Sequence, residues 1–291
     1  MIIRKPAFFS FRNTVLSHGW FQLAPFSFDE ENCTLDYLIE SEGGVTEVSI
    51  RETPGSLRIG FDPPGIEHKK SVLRSVRRIL RLDEPFAELY SLVEDSEVHC
   101  WIKDENHGPM LRSPTVFEDL VKTICTTNCS WGLTKAMTAN LVESLGNSAP
   151  SRKKAFPTPA AMAAQSESFF KDEIRAGYRG PYLLELAESV ASGELDPERW
   201  LDSDLPTVEL KKKIKGVKGV GDYAAEHLLK LVGRYDGLAL DSFLRSSFYK
   251  YYNGGKACPD KKIERQYRSF GSWRGLVIWF DMIQKRSVGS E

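Results

Sequence analysis

Asp241 is the residue whose type and setting are best suited to chemistry. It ends the apolar run Leu238-Ala239-Leu240-Asp241, with Phe243 two residues on, and it follows the last glycine of Gly216-Val217-Lys218-Gly219-Val220-Gly221 by twenty residues. An apolar neighbourhood disfavours the charged form of a carboxyl. A fixed carboxylate can stabilise a developing positive charge, or orient and deprotonate a water. Asp241 is equally suited to cap a helix starting at Ser242, and the two roles are compatible. The three glycines lie between helix-forming runs at 208–214 and 223–231. Glycine gives positive φ and close approach of the backbone. The helix start that follows offers unpaired N–H groups to an anion. Lys211, Lys212, Lys213, Lys215 and Lys218 fall within eight residues around this turn, a local positive field suited to phosphate.

A net charge of −1 over 291 residues means that any nucleic-acid face is local rather than global. A second basic cluster, Lys69, Lys70, Arg74, Arg77, Arg78 and Arg81, lies opposite Val72, Val76 and Ile79 on one helix and reads as a surface face. Five cysteines at 33, 100, 125, 129 and 258 show neither a disulfide framework nor metal-ligand spacing, which fits a reducing, cytoplasmic setting. The N-terminus lacks the pattern of a secretory signal, and no apolar run reaches membrane-spanning length. His18 reads as a loop histidine, solvated or capped, with a place at a pocket as the alternative. His68, His99 and His107 show no metal spacing, and Trp273 and Trp279 read as core.

Around these residues the chain divides into a β-rich start and a helical remainder. The runs 20–23, 34–39, 45–50 and 57–61 read as short strands, punctuated by Gly43-Gly44 and Pro54-Gly55 and closed by Asp62-Pro63-Pro64-Gly65. Helices are expected over 74–82, 84–92, from Pro114 through Cys125, and over 134–145, 181–191, 206–215, 222–232, 263–270 and 273–284, with 146–159 as a surface loop. The fold class is α+β: an antiparallel sheet domain at 1–68, then an all-helical body at 69–291 in two lobes, with Asp241 on the floor of a cleft between them.

The glycine turn followed by Ala239-Leu240-Asp241-Ser242-Phe243 resembles the helix-hairpin-helix Gly-Pro-Asp superfamily of DNA glycosylases, over residues 108–285 by motif and over the β region by architecture. The resemblance implies base excision from duplex DNA, with Asp241 catalytic and Gly216, Val217, Lys218, Gly219, Val220 and Gly221 on the DNA backbone. The carbonyls of Lys215, Val217 and Val220 would hold a Na⁺ or K⁺ ion, and the amides of Gly219, Gly221 and Tyr223 would face a phosphate. Relatives that also nick DNA carry a Schiff-base lysine where this chain has Tyr223, so a monofunctional enzyme is expected, with Tyr223 in the base pocket. Lys218 and Lys230 do not occupy that position.

Two further segments resemble the 8-oxoguanine branch. Asn128, in Ile124-Cys125-Thr126-Thr127-Asn128-Cys129, matches a contact to the orphaned base. Tyr178 and Arg179, in Gly177-Tyr178-Arg179-Gly180, match a wedge and an orphan-base reader. An arginine expected near Leu133 is missing and Phe243 replaces a phosphate-contacting histidine, so damaged guanine, alkylated purine and deaminated base all stay open, with a damaged purine favoured. No other cofactor is expected, and the iron–sulfur cluster of some relatives is not, since only Cys258 lies near the matching region. The expected partner is damaged duplex DNA, bound by a monomer. The alternatives are a non-catalytic damage-binding protein, a glycosylase/lyase with a displaced lysine, and a hairpin used only for protein contact.

Overall fold

The computed structural model of the protein describes residues 1–41, 44–63 and 68–288. Gly43 and Pro64-Gly65, parts of two turns read from sequence, lie outside the described residues. By chain contacts the protein forms two compact units. The first comprises Met1–Glu84, Pro109–Trp200 and Val217–Gly219; the second comprises Pro85–Gly108, Leu201–Gly216 and Val220–Glu291.

The first unit contains a five-stranded antiparallel sheet, β1 (Ile2–Arg4), β2 (Ser27–Asp29), β3 (Thr34–Ser41), β4 (Gly44–Thr53) and β5 (Ser56–Asp62), in the order β1-β5-β4-β3-β2. Alternation sets its register. Val48 and Ile50 of β4 are buried while Glu47 and Ser49, which alternate with them, are less so, and Val48 and Ile50 pair with Tyr37 and Leu35 of β3. A slip of one residue would turn that apolar set to solvent. The expected strand at 20–23 is instead a 3-10 turn, Gly19–Gln22. Tertiary contacts override its aromatic composition: Trp20 is buried and its indole donates to Asp119 Oδ1 at 2.9 Å. A short helix, α1 (Phe11–Val15), lies between β1 and β2.

After the sheet come α2 (Lys69–Ile79), α5 (Val116–Thr126), α6 (Trp131–Leu145), α7 (Pro159–Ala163), α8 (Glu167–Asp172) and α9 (Gly180–Ala191), while α3 (Ala87–Val93) and α4 (Trp101–Asp104) belong to the second unit. The basic face expected on α2 is only partly solvent-directed. Arg78 donates to Ser113 O and lies 3.6 Å from Asp119, and Arg81, just past the helix, is buried on Met110 O. The segment 146–159 is not a plain surface loop either: Ala149 and Ala155 pack with Leu38, and Ala155 N donates to Asn147 O at 2.9 Å.

Helix α5 is anchored by a buried polar cluster. Glu118 accepts from Tyr37 OH and Lys122 Nζ, each at 2.6 Å, and Asp119 accepts from Ser113 N and Trp20. Burial pushes the Glu118 carboxyl above its ordinary range despite Lys122 beside it. The cluster fixes the helix whose last turn leads into Thr127 and Asn128.

The second unit is helical: α10 (Thr207–Lys215), α11 (Asp222–Leu231), α12 (Ser242–Tyr252), α13 (Asp260–Gln266) and α14 (Arg274–Val288), with α3 and α4. Buried Asp281 of α14 accepts from Tyr252 and Tyr267 and faces His99 Nε2 at 3.5 Å. Burial alone would raise its carboxyl, but the bonds from His99, Tyr267 and Tyr252 outweigh burial and hold it below the ordinary value.

Candidate active site

Helices α10 and α11 and the six residues between them form a helix-hairpin-helix, and its glycines serve three different ends. Gly219 alone has positive φ, +85°, and a Cβ there would stand 2.6 Å from Tyr182 Cδ2 on α9. Gly216 caps α10 at φ −67°, where a Cβ would stand 3.0 Å from Lys213 O. Gly221 is extended and caps α11 without a side-chain hydrogen bond, with nothing within 4 Å of the place a Cβ would take. Open space and first-turn amides therefore coincide at Gly221, as an approaching anion requires. The lysines are less exposed to solvent ions than their run suggests. Lys211 pairs with Glu226 at 2.6 Å, Lys215 with Asp222 at 3.0 Å and Lys218 with Glu185 at 2.6 Å; Lys215 and Lys218 stay exposed, and exposed Lys212 and Lys213 have no ion pair among the described residues.

In the second unit Asp241 is the N-cap of α12, accepting from Leu244 N at 2.7 Å. Tyr223, in the first turn of α11, stands near the same carboxylate; burial and then Asp241 push the phenol well above its ordinary range, so it stays neutral. Its ring stacks on His227 at 6.1 Å. The apolar setting read from sequence is corrected by these groups and by the charges of Arg245 and Lys230, both of which feel Asp241.

Lys230 was set aside from sequence as being off the nucleophile position. It is 1% exposed, donates to Leu238 O at 3.1 Å and lies 5.8 Å from the Trp279 ring centroid, and burial pulls its amine down to about 8. Trp279 is half-buried against Phe243, while Trp273 is core. The loop carrying Asp241 has its polar groups engaged from several sides. Gly275 N donates to Tyr235 O at 2.7 Å, Arg274 Nε to Asp236 O at 2.5 Å and Arg245 to Leu240 O at 2.9 Å. A cavity of about 260 Å³ beside this loop is lined by Tyr223, Glu226, Arg245 and Arg274 among others.

In the first unit Asn128, Tyr178 and Arg179 come together. Asn128, at φ +45°, lies 3.4 Å from the hydroxyl of Tyr178, which is 52% exposed. Arg179 is buried at 3% exposure. Its guanidinium donates to Thr127 O and Ala176 O and lies 4.5 Å from the Tyr178 ring centroid. The Tyr178 and Tyr182 rings meet edge to face at 6.1 Å. His18 lies in a bend before the 3-10 turn, as a loop histidine should, but is buried rather than solvated, its Nε2 against Leu111 O at 2.5 Å.

Glu226, Arg245 and Gly275 escaped the reading of sequence, and Lys230 was weighed there only as a nucleophile. The available signal was Glu226 and Lys230, four apart among Ala224, Ala225, Leu228, Leu229 and Leu231. The five thiols are free, and no helix among the described residues is long and apolar enough to cross a membrane.

The fold defined by this sheet and helix-hairpin-helix is that of DNA glycosylases. The 3-methyladenine DNA glycosylase of Archaeoglobus fulgidus superposes with TM-score 0.78 at 19% identity, covering 98% of this chain and 98% of that one. The 8-oxoguanine glycosylase/lyase of Clostridium acetobutylicum, bound to double-stranded DNA with cytosine opposite 8-oxoguanine, superposes with TM-score 0.77 at 20% identity, covering 99% and 98%. MBOgg1, bound to a low-affinity DNA ligand, gives 0.79 at 20%, covering 99% and 96%. No family model and no curated protein matches the chain in sequence.

Proposed function

We propose that this chain is a base-excision DNA glycosylase. It flips a damaged purine out of duplex DNA and hydrolyses its N-glycosidic bond, leaving an abasic site. One observation carries the reading: the helix-hairpin-helix brings Tyr223 beside Asp241, which caps α12 by accepting from Leu244 N. Departure of the base leaves oxocarbenium character on the sugar. Asp241 stabilises that cation and orients the attacking water, while Leu244 N fixes the carboxylate. The amides after Gly221, with Lys212 and Lys213, take a DNA phosphate. The carbonyls of Lys215, Val217 and Val220 accept no backbone hydrogen bond among the described residues, so their chemistry fits a hard monovalent cation. Such an ion would add positive charge beside the phosphate. Tyr178 fills the gap left by the flipped base and Asn128 meets the orphaned partner. We assign Arg179 to bracing Tyr178 and Thr127, because its guanidinium is spent on them.

The test is base release from duplexes carrying 8-oxoguanine, an alkylated adenine, hypoxanthine or uracil, each read with and without alkali. Strand cleavage only after alkali, absent in Asp241→Asn, is the expected result and names the lesion class. A second reading, a glycosylase/lyase, has Lys230 behind it: a buried amine with a lowered pKa near Asp241 is the type of lysine that forms Schiff bases. Borohydride trapping of a covalent protein–DNA adduct, lost in Lys230→Met, would establish it; no adduct, with strand cleavage only after alkali, establishes the hydrolytic enzyme.

A further inference from the structure

The peptide bond between Leu238 and Ala239 is held from both of its polar sides by one helix. Lys230 Nζ donates to its carbonyl, Leu238 O, at 3.1 Å, and Glu226 Oε2 accepts from its amide, Ala239 N, at 2.5 Å. In a trans peptide these two groups point in opposite directions, and side chains four apart on a helix share one face. Glu226 and Lys230 are therefore spaced to bracket a single peptide plane. That plane fixes the ψ of Leu238 and the φ of Ala239, and Ala239 is a buried non-glycine residue at φ +51°. Such a conformation is unfavourable for an L-residue and persists only where the surroundings impose it. The segment two residues before Asp241 is thus strained, and the strain has an identifiable clamp. Lys211 completes it, pairing with the other oxygen of Glu226 at 2.6 Å.

We infer that Glu226 and Lys230 form a peptide clamp that positions Asp241, with Glu226 the side chain that imposes the left-handed turn at Ala239. The two are positioning residues; neither touches the reacting atoms. Two close approaches agree with the assignment. A Cβ on Gly237 would stand 3.2 Å from Glu226 Cγ, and one on Gly275 would stand 2.1 Å from Gly237 O and 3.0 Å from Lys230 Cε. The loop lies against its clamp with no room for side chains at those points.

The inference rests on Asp241 facing a cationic sugar, so its test reads that property directly and needs no knowledge of the lesion. The full chain is titrated with a duplex carrying a pyrrolidine abasic analogue, whose ring nitrogen is cationic, and with the same duplex carrying a neutral tetrahydrofuran analogue. Wild type should prefer the cationic duplex by about tenfold or more, and Asp241→Asn should abolish that preference. Glu226→Ala should lose most of the preference while keeping its affinity for the tetrahydrofuran duplex. Glu226→Gln keeps an acceptor for Ala239 N and should retain the larger part. Ala239→Gly added to Glu226→Ala should recover several-fold, because glycine adopts φ +51° unaided. Undiminished preference in Glu226→Ala overturns the clamp. Loss of both affinities together, in Glu226→Ala and Glu226→Gln alike and without recovery by Ala239→Gly, reduces Glu226 to a folding residue and overturns it too. Equal preference in wild type and Asp241→Asn instead overturns the role of Asp241, and binding to neither duplex overturns the glycosylase reading itself.

Discussion

Replacing Gly219 by alanine isolates what the hairpin tip asks of its sequence. The residue sits at φ +85°, which costs an L-side chain about 1–2 kcal/mol. The new methyl would also stand 2.6 Å from Tyr182 Cδ2, 3.1 Å from Cγ and 3.2 Å from Cβ. Ordinary carbon contacts lie at about 3.5–4.0 Å, so the ring must retreat by about 1 Å. It is held by its edge-to-face contact with Tyr178. Overpacking of this kind costs about 1–3 kcal/mol. The sum is about 2–5 kcal/mol, and the two contributions are separable. Tyr182→Ala removes the ring and leaves the backbone strain, so a double-mutant cycle in urea denaturation, followed by tryptophan fluorescence, should give a favourable coupling of about 1–3 kcal/mol. Gly219→Ala within about 0.5 kcal/mol of wild type, or a cycle with no coupling, would refute the reasoning. Because Tyr182 packs on Tyr178, Gly219→Ala should also weaken binding to an abasic duplex in fluorescence anisotropy.

Asp281→Asn should cost about 2–4 kcal/mol, since the buried carboxylate serves Tyr252, Tyr267 and His99. Its folded pKa lies below the unfolded value of about 3.9, so the stabilisation is fully present above that pH and is lost as pH falls through the folded value; the variant's acid denaturation curve should be correspondingly flatter. Lys230 titrates near 8 when folded against about 10.4 unfolded. The folded state binds fewer protons between those values, so wild type should gain about 2–3 kcal/mol on Lys230→Met from pH 8 to 10 in chemical denaturation, and a flat difference would contradict a buried ammonium. Gly275→Ala places a methyl 2.1 Å from Gly237 O and 2.5 Å from Tyr235 O, both backbone atoms that cannot swing aside. It should lower stability by about 3 kcal/mol or more and, under permissive conditions, reduce the base-release rate more than DNA affinity.

Where apolar spacing was regular, the sequence foretold the elements. Val48 and Ile50 alternate with polar residues and lie in a strand, and Leu210 and Ile214 keep helical spacing and lie in α10. Composition without period misled: the aromatic run from Trp20 has no alternation to hold it in a strand, and an indole bond to Asp119 settles it as a turn. Helix α12 was legible only at its cap, because Ser242-Phe243-Leu244-Arg245-Ser246-Ser247 offers propensity no clear period. Asp241 and Tyr223 stand out by motif, yet their proximity does not, since seventeen residues of intervening chain carry no information about which side chains meet. Arg179 illustrates the same limit: an arginine beside an exposed tyrosine suggests a reader of bases, and only the carbonyls of Thr127 and Ala176 show where its donors go.

The replacement of an amine by a phenol at position 223 changes what its neighbour can do. A lysine there would bring a nucleophile and a second positive charge to the sugar. A tyrosine held neutral by burial brings an uncharged phenol beside Asp241. The carboxylate then has a neutral neighbour on that side rather than a cation. The positive charges that Asp241 does feel, Lys230 and Arg245, are each tied to the carbonyl of a residue in its own loop, Leu238 and Leu240. Lys230 and one donor of Arg245 hold the backbone, and the other donors of Arg245 go to Asp260, rather than cover the acid. Hydrolysis fits that division, with Tyr223 neutral beside the acid and the cations fixing the chain that presents it.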